Sequence, residues 1–125
     1  MKIIISNSSG EPIYEQIKNS IKSQIIDGTL EEGEGLPSIR SLAKELQISV
    51  ITTKRAYSEL ETEGFIETVA GKGSFVASQN KEFLMEQKLK IIEEKLLEVV
   101  NESKMINLNF DEIVEMIKIL FEETN

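Results

Sequence analysis

Residues 36–76, LPSIRSLAKELQISVITTKRAYSELETEGFIETVAGKGSFV, read as two short helices joined by a tight turn and followed by a β-hairpin. Pro37 cannot continue a preceding helix and Ser38 is a good N-cap, so a helix is expected from Ile39, burying Ile39, Leu42, Ala43 and Leu46. Ser41 stands where a capping box would have Glu or Gln, which leaves that helix capped from one side only. Gln47 to Ser49 form the connection, with Ile48 available to wedge between the helices. Ser49 caps a second helix from Val50 to about Glu63, and Gly64 stops it because glycine accepts the left-handed conformation after a helix end. Thr53, Ala56, Tyr57 and Leu60 form its inward stripe, while Val50, Ile51, Thr52, Lys54, Arg55 and Ser58 face outward or flank it. Phe65 to Val69 and Ser74 to Ala77 alternate as strands, with Phe65, Phe75 and Val76 favoured for burial. Between them Gly71 and Gly73 permit positive φ, and Lys72 at the tip is placed for a phosphate. This order of elements is the plan of a winged helix-turn-helix, in which the second helix enters a DNA major groove and the hairpin reaches the neighbouring backbone or minor groove.

Two β-branched residues and three hydroxyls around the start of an exposed helix are poor helix formers, so propensity alone does not select them. They suit base edges better. Val50, Ile51 and the threonine methyls match thymine C5-methyls, and the Thr52 or Thr53 hydroxyl can bond a base or a phosphate. The alternative for Val50 and Ile51 is packing on the wing or the domain core. The candidate DNA contacts are Ser38 and Arg40 on the first helix, Ser49, Val50, Thr52, Thr53, Lys54 and Arg55 on the second, and Gly71, Lys72 and Gly73 in the wing; Arg40 and the two wing glycines are included on the family resemblance of the stretches that contain them.

The stretches PIYEQI (12–17), IIDGTLEEGEGLPSIRSLAKEL (25–46), SVITTKRAYSELETEGFIET (49–68) and GKGSFV (71–76) together resemble the GntR family of bacterial transcription factors. The likeness spans nearly all of residues 11–78. The arginine usual in that family after the recognition-helix cap is Val50 here, and the basic residue usual before Leu-Pro is Gly35. Arg40, Thr52, Lys54 and the turn from Gly71 to Gly73 match contact positions that the resemblance implies.

At 125 residues the chain is of single-domain length, and a small domain with a helical appendage also fits. No apolar run approaches the ~20 residues of a membrane span, and the opening MKIII is too short for a signal peptide, so an intracellular, cytoplasmic protein is expected. Absence of cysteine excludes disulfides and thiolate metal sites, and absence of histidine removes the commonest general base and metal ligand. The 22 acidic residues are scattered as helix-surface charges with no accompanying nucleophile or phosphate loop. Neither an enzyme nor a cofactor or metal site is therefore expected.

A net charge of −8 argues against DNA binding only if taken over the whole chain. Residues 1–78 hold 8 Lys/Arg against 11 Asp/Glu, a charge of −3, and residues 79–125 hold 6 against 11, a charge of −5. Within 38–58 the cations Arg40, Lys44, Lys54 and Arg55 face Glu45 alone. Screening over ~8 Å at physiological salt makes the local sign decisive at the DNA face. So few cations predict modest affinity per monomer, and two subunits would be needed for useful occupancy.

Upstream, Pro12 fits the first helical position, and Ile13, Ile17, Ile21 and Ile25 recur every four residues before Gly28, as the support helix of a three-helix core. Tyr14 is read as a packing ring beside Ile17 and Ile21. Thr29 to Gly35 is an acidic loop, anchored by Leu30 and Leu36, that should point away from DNA.

Ser78 to Asn80 mark a boundary between a DNA-binding domain, 1–78, and a two-helix C-terminal region, 79–125. In the latter Met85, Leu89, Ile92, Leu96 and Val99 follow a heptad seam, which Asn101 to Met105 interrupts. A final helix opens with Asn109 as cap, Glu112 at the third position, and Leu108 with Ile113 as a hydrophobic staple; Ile113, Val114, Ile117, Leu120 and Phe121 face inward. Two helices of this size cannot bury both apolar faces alone. Homodimerisation answers that, and docking back on the winged helix is the alternative. The short tail resembles the YtrA-type subgroup of the family, which implies a homodimeric repressor, often of transporter genes, acting on an operator in double-stranded DNA. No small-molecule effector is assigned. The rival from another class is a protein-interaction module whose winged helix has lost DNA affinity.

Overall fold

The structure is a computed structural model and describes residues 1–124. Its elements are α1 (Ile13–Ile26), α2 (Ile39–Leu46), α3 (Val50–Thr62), β1 (Ile66–Val69), β2 (Gly73–Val76), α4 (Lys81–Met105) and α5 (Phe110–Glu123). The chain divides into two compact units, Met1–Met85 and Glu86–Asn125. Among the described residues no helix is long and apolar enough to cross a membrane.

In the first unit α1 and α2 both pack on α3, which is the centre of the core. Ile17, Ile21, Ile25 and Ile26 of α1 and Leu42 and Ala43 of α2 meet Ala56, Tyr57 and Leu60 there, with Leu30, Phe65, Ile66 and Val76 completing the buried set. Ile39 and Leu46, at the ends of α2, are only half-buried, because each end of a two-turn helix emerges from the core. Local caps set the helix limits. Ser38 Oγ accepts from the Ser41 N–H at 3.0 Å, and α2 ends on Gln47 in the left-handed region at φ 57°. Pro12 is the N-cap of α1 rather than its first residue: its ψ of 145° is not helical, and its carbonyl takes the Glu15 and Gln16 N–H groups. Tyr57 Oη donates to the Pro37 carbonyl at 2.7 Å, tying α3 to the entrance of α2, and burial pushes the phenol above its ordinary pKa.

The wing is antiparallel, with Ile66 opposite Val76 and Val69 opposite Gly73. The acidic stretch before α2 adds a third edge. Gly33 N–H donates to the Val76 carbonyl, Val76 N–H to Glu34, and Leu36 N–H to Ser74, and Gly35 bridges Phe75. This pairing fixes the loop against β2, the strand remote from β1's free edge.

A run of alternating charge closes the α1–α3 seam. Lys18 Nζ lies 3.1 Å from Glu59 and 3.2 Å from Glu63, and Lys22 Nζ lies 3.2 Å from Glu63. The Glu59 hydrogen bond, opposed by burial and assisted by Glu63, raises the Lys18 pKa. Burial pushes Glu63 up, but the Lys22 and Lys18 hydrogen bonds outweigh it and hold the carboxyl below its usual range. Glu63 therefore stabilises the fold above the unfolded carboxyl pKa, ~4.3, and that contribution is lost as pH falls through the lower folded value. Lys18 stabilises below the unfolded lysine pKa, ~10.4, and its contribution is lost as pH rises through the higher folded value. Urea titrations should show the gap between the native chain and Glu63→Gln shrinking from pH 6 to pH 2. A gap that stays constant over this range contradicts the assignment.

In the second unit α4 continues to Met105, so Asn101 to Met105 interrupts the apolar pattern but not the helix. Glu102, Lys104 and Met105 are good helix formers, and the chain turns only at Asn107, at φ 58°. The Leu108 N–H then returns to the Ser103 carbonyl at 2.9 Å. Asn109 opens α5 with a complete capping box: its Oδ1 accepts from the Glu112 N–H at 2.9 Å, and its own N–H donates to Glu112 Oε1 at 3.2 Å.

Candidate DNA-binding surface

The first turn of α3 is organised by Ser49. Its Oγ accepts from the Thr52 N–H at 3.1 Å and lies 2.7 Å from Thr52 Oγ1, so the cap also orients the Thr52 hydroxyl at the helix entrance. Ile51 is 81% exposed and Val50 is exposed beside it. Neither joins the buried core, and Ile51 forms an apolar projection while Val50 is half exposed. Thr53 departs from the expected contact set. It is 0% exposed and its hydroxyl donates to the Ser49 carbonyl at 3.1 Å, so it belongs to the inward stripe, satisfied by the preceding turn, and cannot reach DNA.

Lys54 and Arg55 are exposed on α3, and Arg40 is exposed on α2. Ser38 and Ser49 keep exposed positions although their Oγ atoms are occupied as acceptors in the two caps. In the wing, Gly71 at φ 77° and Gly73 at φ 108° shape a turn that L side chains rarely adopt, and the Lys72 N–H closes it on the Val69 carbonyl at 2.9 Å. The Lys72 side chain is exposed at the tip. Gly35 lies against the Phe75 ring, and a Cβ there would meet ring carbons at 3.7 and 3.8 Å, ordinary contacts.

The Arg55 side chain is held from two sides. The Arg55 guanidinium carbon sits 3.7 Å from the centroid of the Tyr14 ring, and its Nε donates to Glu59 Oε2 at 3.3 Å. The Arg55–Glu59 spacing of four residues was a readable helical pair, whereas nothing in the sequence joins Arg55 to Tyr14, which lies on α1. Tyr14 thus supports a cation, beyond the packing role expected of it.

In the second unit the residues of the apolar seam are partly exposed among the described residues. Met85, just before it, and Leu89, Ile92, Leu96 and Val99 are exposed along α4; on α5 Ile113 is half-buried while Ile117, Leu120 and Phe121 are exposed, Phe121 at 77%. Among the described residues of α5 none is buried.

Three helices with a projecting, capped third helix and a lysine-tipped hairpin define a winged helix-turn-helix DNA-binding protein. Residues 13–76 match the family described as bacterial regulatory proteins, gntR family. The chain is 35% identical over 116 residues to the HTH-type transcriptional repressor YtrA of Bacillus subtilis (strain 168), covering 93% of this chain and 89% of that protein. It belongs to the GntR family of transcriptional regulators and is not an enzyme. Among solved structures, YtrA from Sulfolobus acidocaldarius, described as a GntR-family transcription factor, superposes with a TM-score of 0.60 at 37% identity, covering 76% of this chain and 96% of that one. The DNA-binding domain of AraR in complex with operator ORX1 superposes with a TM-score of 0.54 at 26% identity, over 62% of this chain and 96% of that one.

Proposed function

We propose that this regulator is a homodimeric repressor that acts in the cytoplasm on an inverted-repeat operator, with transporter genes as its targets. The observation that carries the reading is the exposed start of α3, where Ile51 projects between cations from a capped first turn. The partly exposed apolar faces of α4 and α5 support a second copy as partner, with residues 1–78 as the DNA-binding part and 79–125 as the dimerising part. Two-fold symmetry presents two copies of α3 related by the same operation, so the operator should be an inverted repeat with half-site centres near one helical turn, ~34 Å. The name of the Bacillus subtilis relative, a transcriptional repressor, supports repression, and the likeness of the short tail to the YtrA-type subgroup is the ground for proposing transporter genes.

Selection of bound duplexes from random DNA tests this. Enrichment of an inverted repeat is the expected result, and a single unrepeated site bound at full affinity contradicts it. The second reading, a protein-interaction module, draws on the apolar surface at Val50 and Ile51. Failure of the same selection to enrich any sequence would favour it.

The contacts divide by task. Arg40 and Lys72 are assigned to phosphates, so either alanine variant should weaken binding to all sequences alike and flatten the salt dependence by about one unit per half-site. Thr52 and Lys54 project from the early turns of α3. Their alanine variants should cost ~1 to 3 kcal/mol on the cognate site and relax preference at one position in each half-site. Equal losses on operator and random duplex would move base reading to the wing or to DNA shape.

A further inference from the structure

We propose that Arg55 is a phosphate anchor whose pose is fixed before DNA arrives by two positioning residues, Tyr14 and Glu59. The proposal rests on the DNA-binding reading above and adds residues and a mechanism to it.

At 3.6 residues per turn, Lys54 and Arg55 point about 100° apart around α3, and Ile51, one turn earlier, falls between them. Cations therefore stand on both flanks of the exposed Ile51. A helix ~10 to 12 Å across nearly fills a major groove ~12 Å wide, so its two flanks face the two phosphate strands. Lys54 is a flexible point charge. Arg55 is different, because the Tyr14 ring 3.7 Å away lies beneath its guanidinium carbon and Glu59 takes its Nε–H.

These contacts use one face and one edge of the guanidinium. The terminal N–H groups stay available, and the side chain remains 60% exposed. A planar fork held in this way matches two phosphate oxygens. Fixing it in advance removes part of the side-chain entropy that a free arginine would lose on binding. A carboxylate beside an anion-binding group is usually a liability. Here Lys18 neutralises Glu59 from the opposite side at 3.1 Å, and Glu63 is shared between Lys18 and Lys22. The cluster of three cations and two carboxylates keeps one positive charge, and Arg55 is its most exposed cation. A mere tie between α1 and α3 would need no exposed N–H edge.

The test is titration of the full chain with its selected operator at 50 and 200 mM salt, beside thermal melts of every variant. Arg55→Gln should weaken binding and lower the salt slope by about one unit per half-site, so that its deficit shrinks roughly threefold to fourfold per half-site between the two salts. Tyr14→Leu should lower the slope in the same direction, Tyr14→Phe should behave as the native chain because the ring is kept, and Tyr14→Leu with Arg55→Gln should bind no worse than Arg55→Gln alone. A native salt slope in Arg55→Gln overturns the anchor while leaving the regulator reading intact. Additive losses in the double variant, or a Tyr14→Phe variant as weak as Tyr14→Leu, overturn the positioning role. A native chain that binds no duplex overturns the regulator reading and the anchor together.

Discussion

The variant carrying Leu89→Asp and Leu96→Asp is expected to sediment as a monomer at concentrations where the native chain is a dimer, and to lose most of its operator affinity. Both leucines lie on the α4 seam and are 50% and 47% exposed in the protomer. Their replacement therefore removes little packing within one chain. In a dimer the same positions would be covered, and burying a leucine is worth ~1.5 to 3 kcal/mol. An unpaired carboxylate left in such an interface costs ~3 to 5 kcal/mol. One such penalty from each protomer gives at least ~6 kcal/mol, about a 10⁴-fold rise in the dimer dissociation constant. Circular dichroism should remain helical, which separates loss of assembly from loss of folding. An unchanged dimer in sedimentation would remove this seam as the interface and direct attention to Ile117, Leu120 and Phe121 on α5.

Where the sequence was legible, the signal was local. Ser38, Ser49 and Asn109 marked the starts of α2, α3 and α5 because a cap is decided by a side chain and an amide within three residues of each other. The wing was equally plain, since Gly71 and Gly73 bracket a turn that few other residues can make. Thr53 was ambiguous for a physical reason. Its methyl and hydroxyl suit either a base edge or an inward stripe, and the backbone acceptor that satisfies it is visible only once the helix is built. The third edge of the wing escaped because glycines and glutamates at 31–35 carry no strand pattern; the pairing is made by main-chain groups alone. The interruption of the seam at Asn101 to Met105 is equally local, but where α4 ends is set by the turn at Asn107, which apolar spacing does not report. The Tyr14–Arg55 stack joins elements remote in sequence, and no spacing rule reaches that far. The local backbone of the site was thus readable, and the support beneath its cations was not.

Phe65→Ala should have the largest effect on the stability of the winged-helix unit. Phe65 follows the Gly64 stop of α3 and is 1% exposed. Its N–H donates to the Leu60 carbonyl at 2.9 Å, and its carbonyl accepts from the Ala77 N–H at 3.0 Å. These main-chain bonds, which an alanine keeps, join the end of α3 to the residue that follows β2 and place the Phe65 ring at the junction of α3 with the wing. Its ring lies 5.7 Å from that of Phe83 in the first turn of α4, and Lys22 Nζ stands 5.1 Å from its centroid. Truncating a buried phenylalanine costs ~3 to 5 kcal/mol, a large share of the ~5 to 15 kcal/mol that holds a domain together. For a unit of this size each kcal/mol is worth ~4 to 8 °C, so the melting temperature should fall by about 12 °C or more. Phe83→Ala should do much less, because that ring is 39% exposed and forfeits mainly the aromatic pair, ~0.5 to 1.5 kcal/mol. The order of the two melts is the decisive reading: a Phe83 variant as unstable as the Phe65 variant would mean that the ring pair, and not the α3–wing junction, supplies the stabilisation.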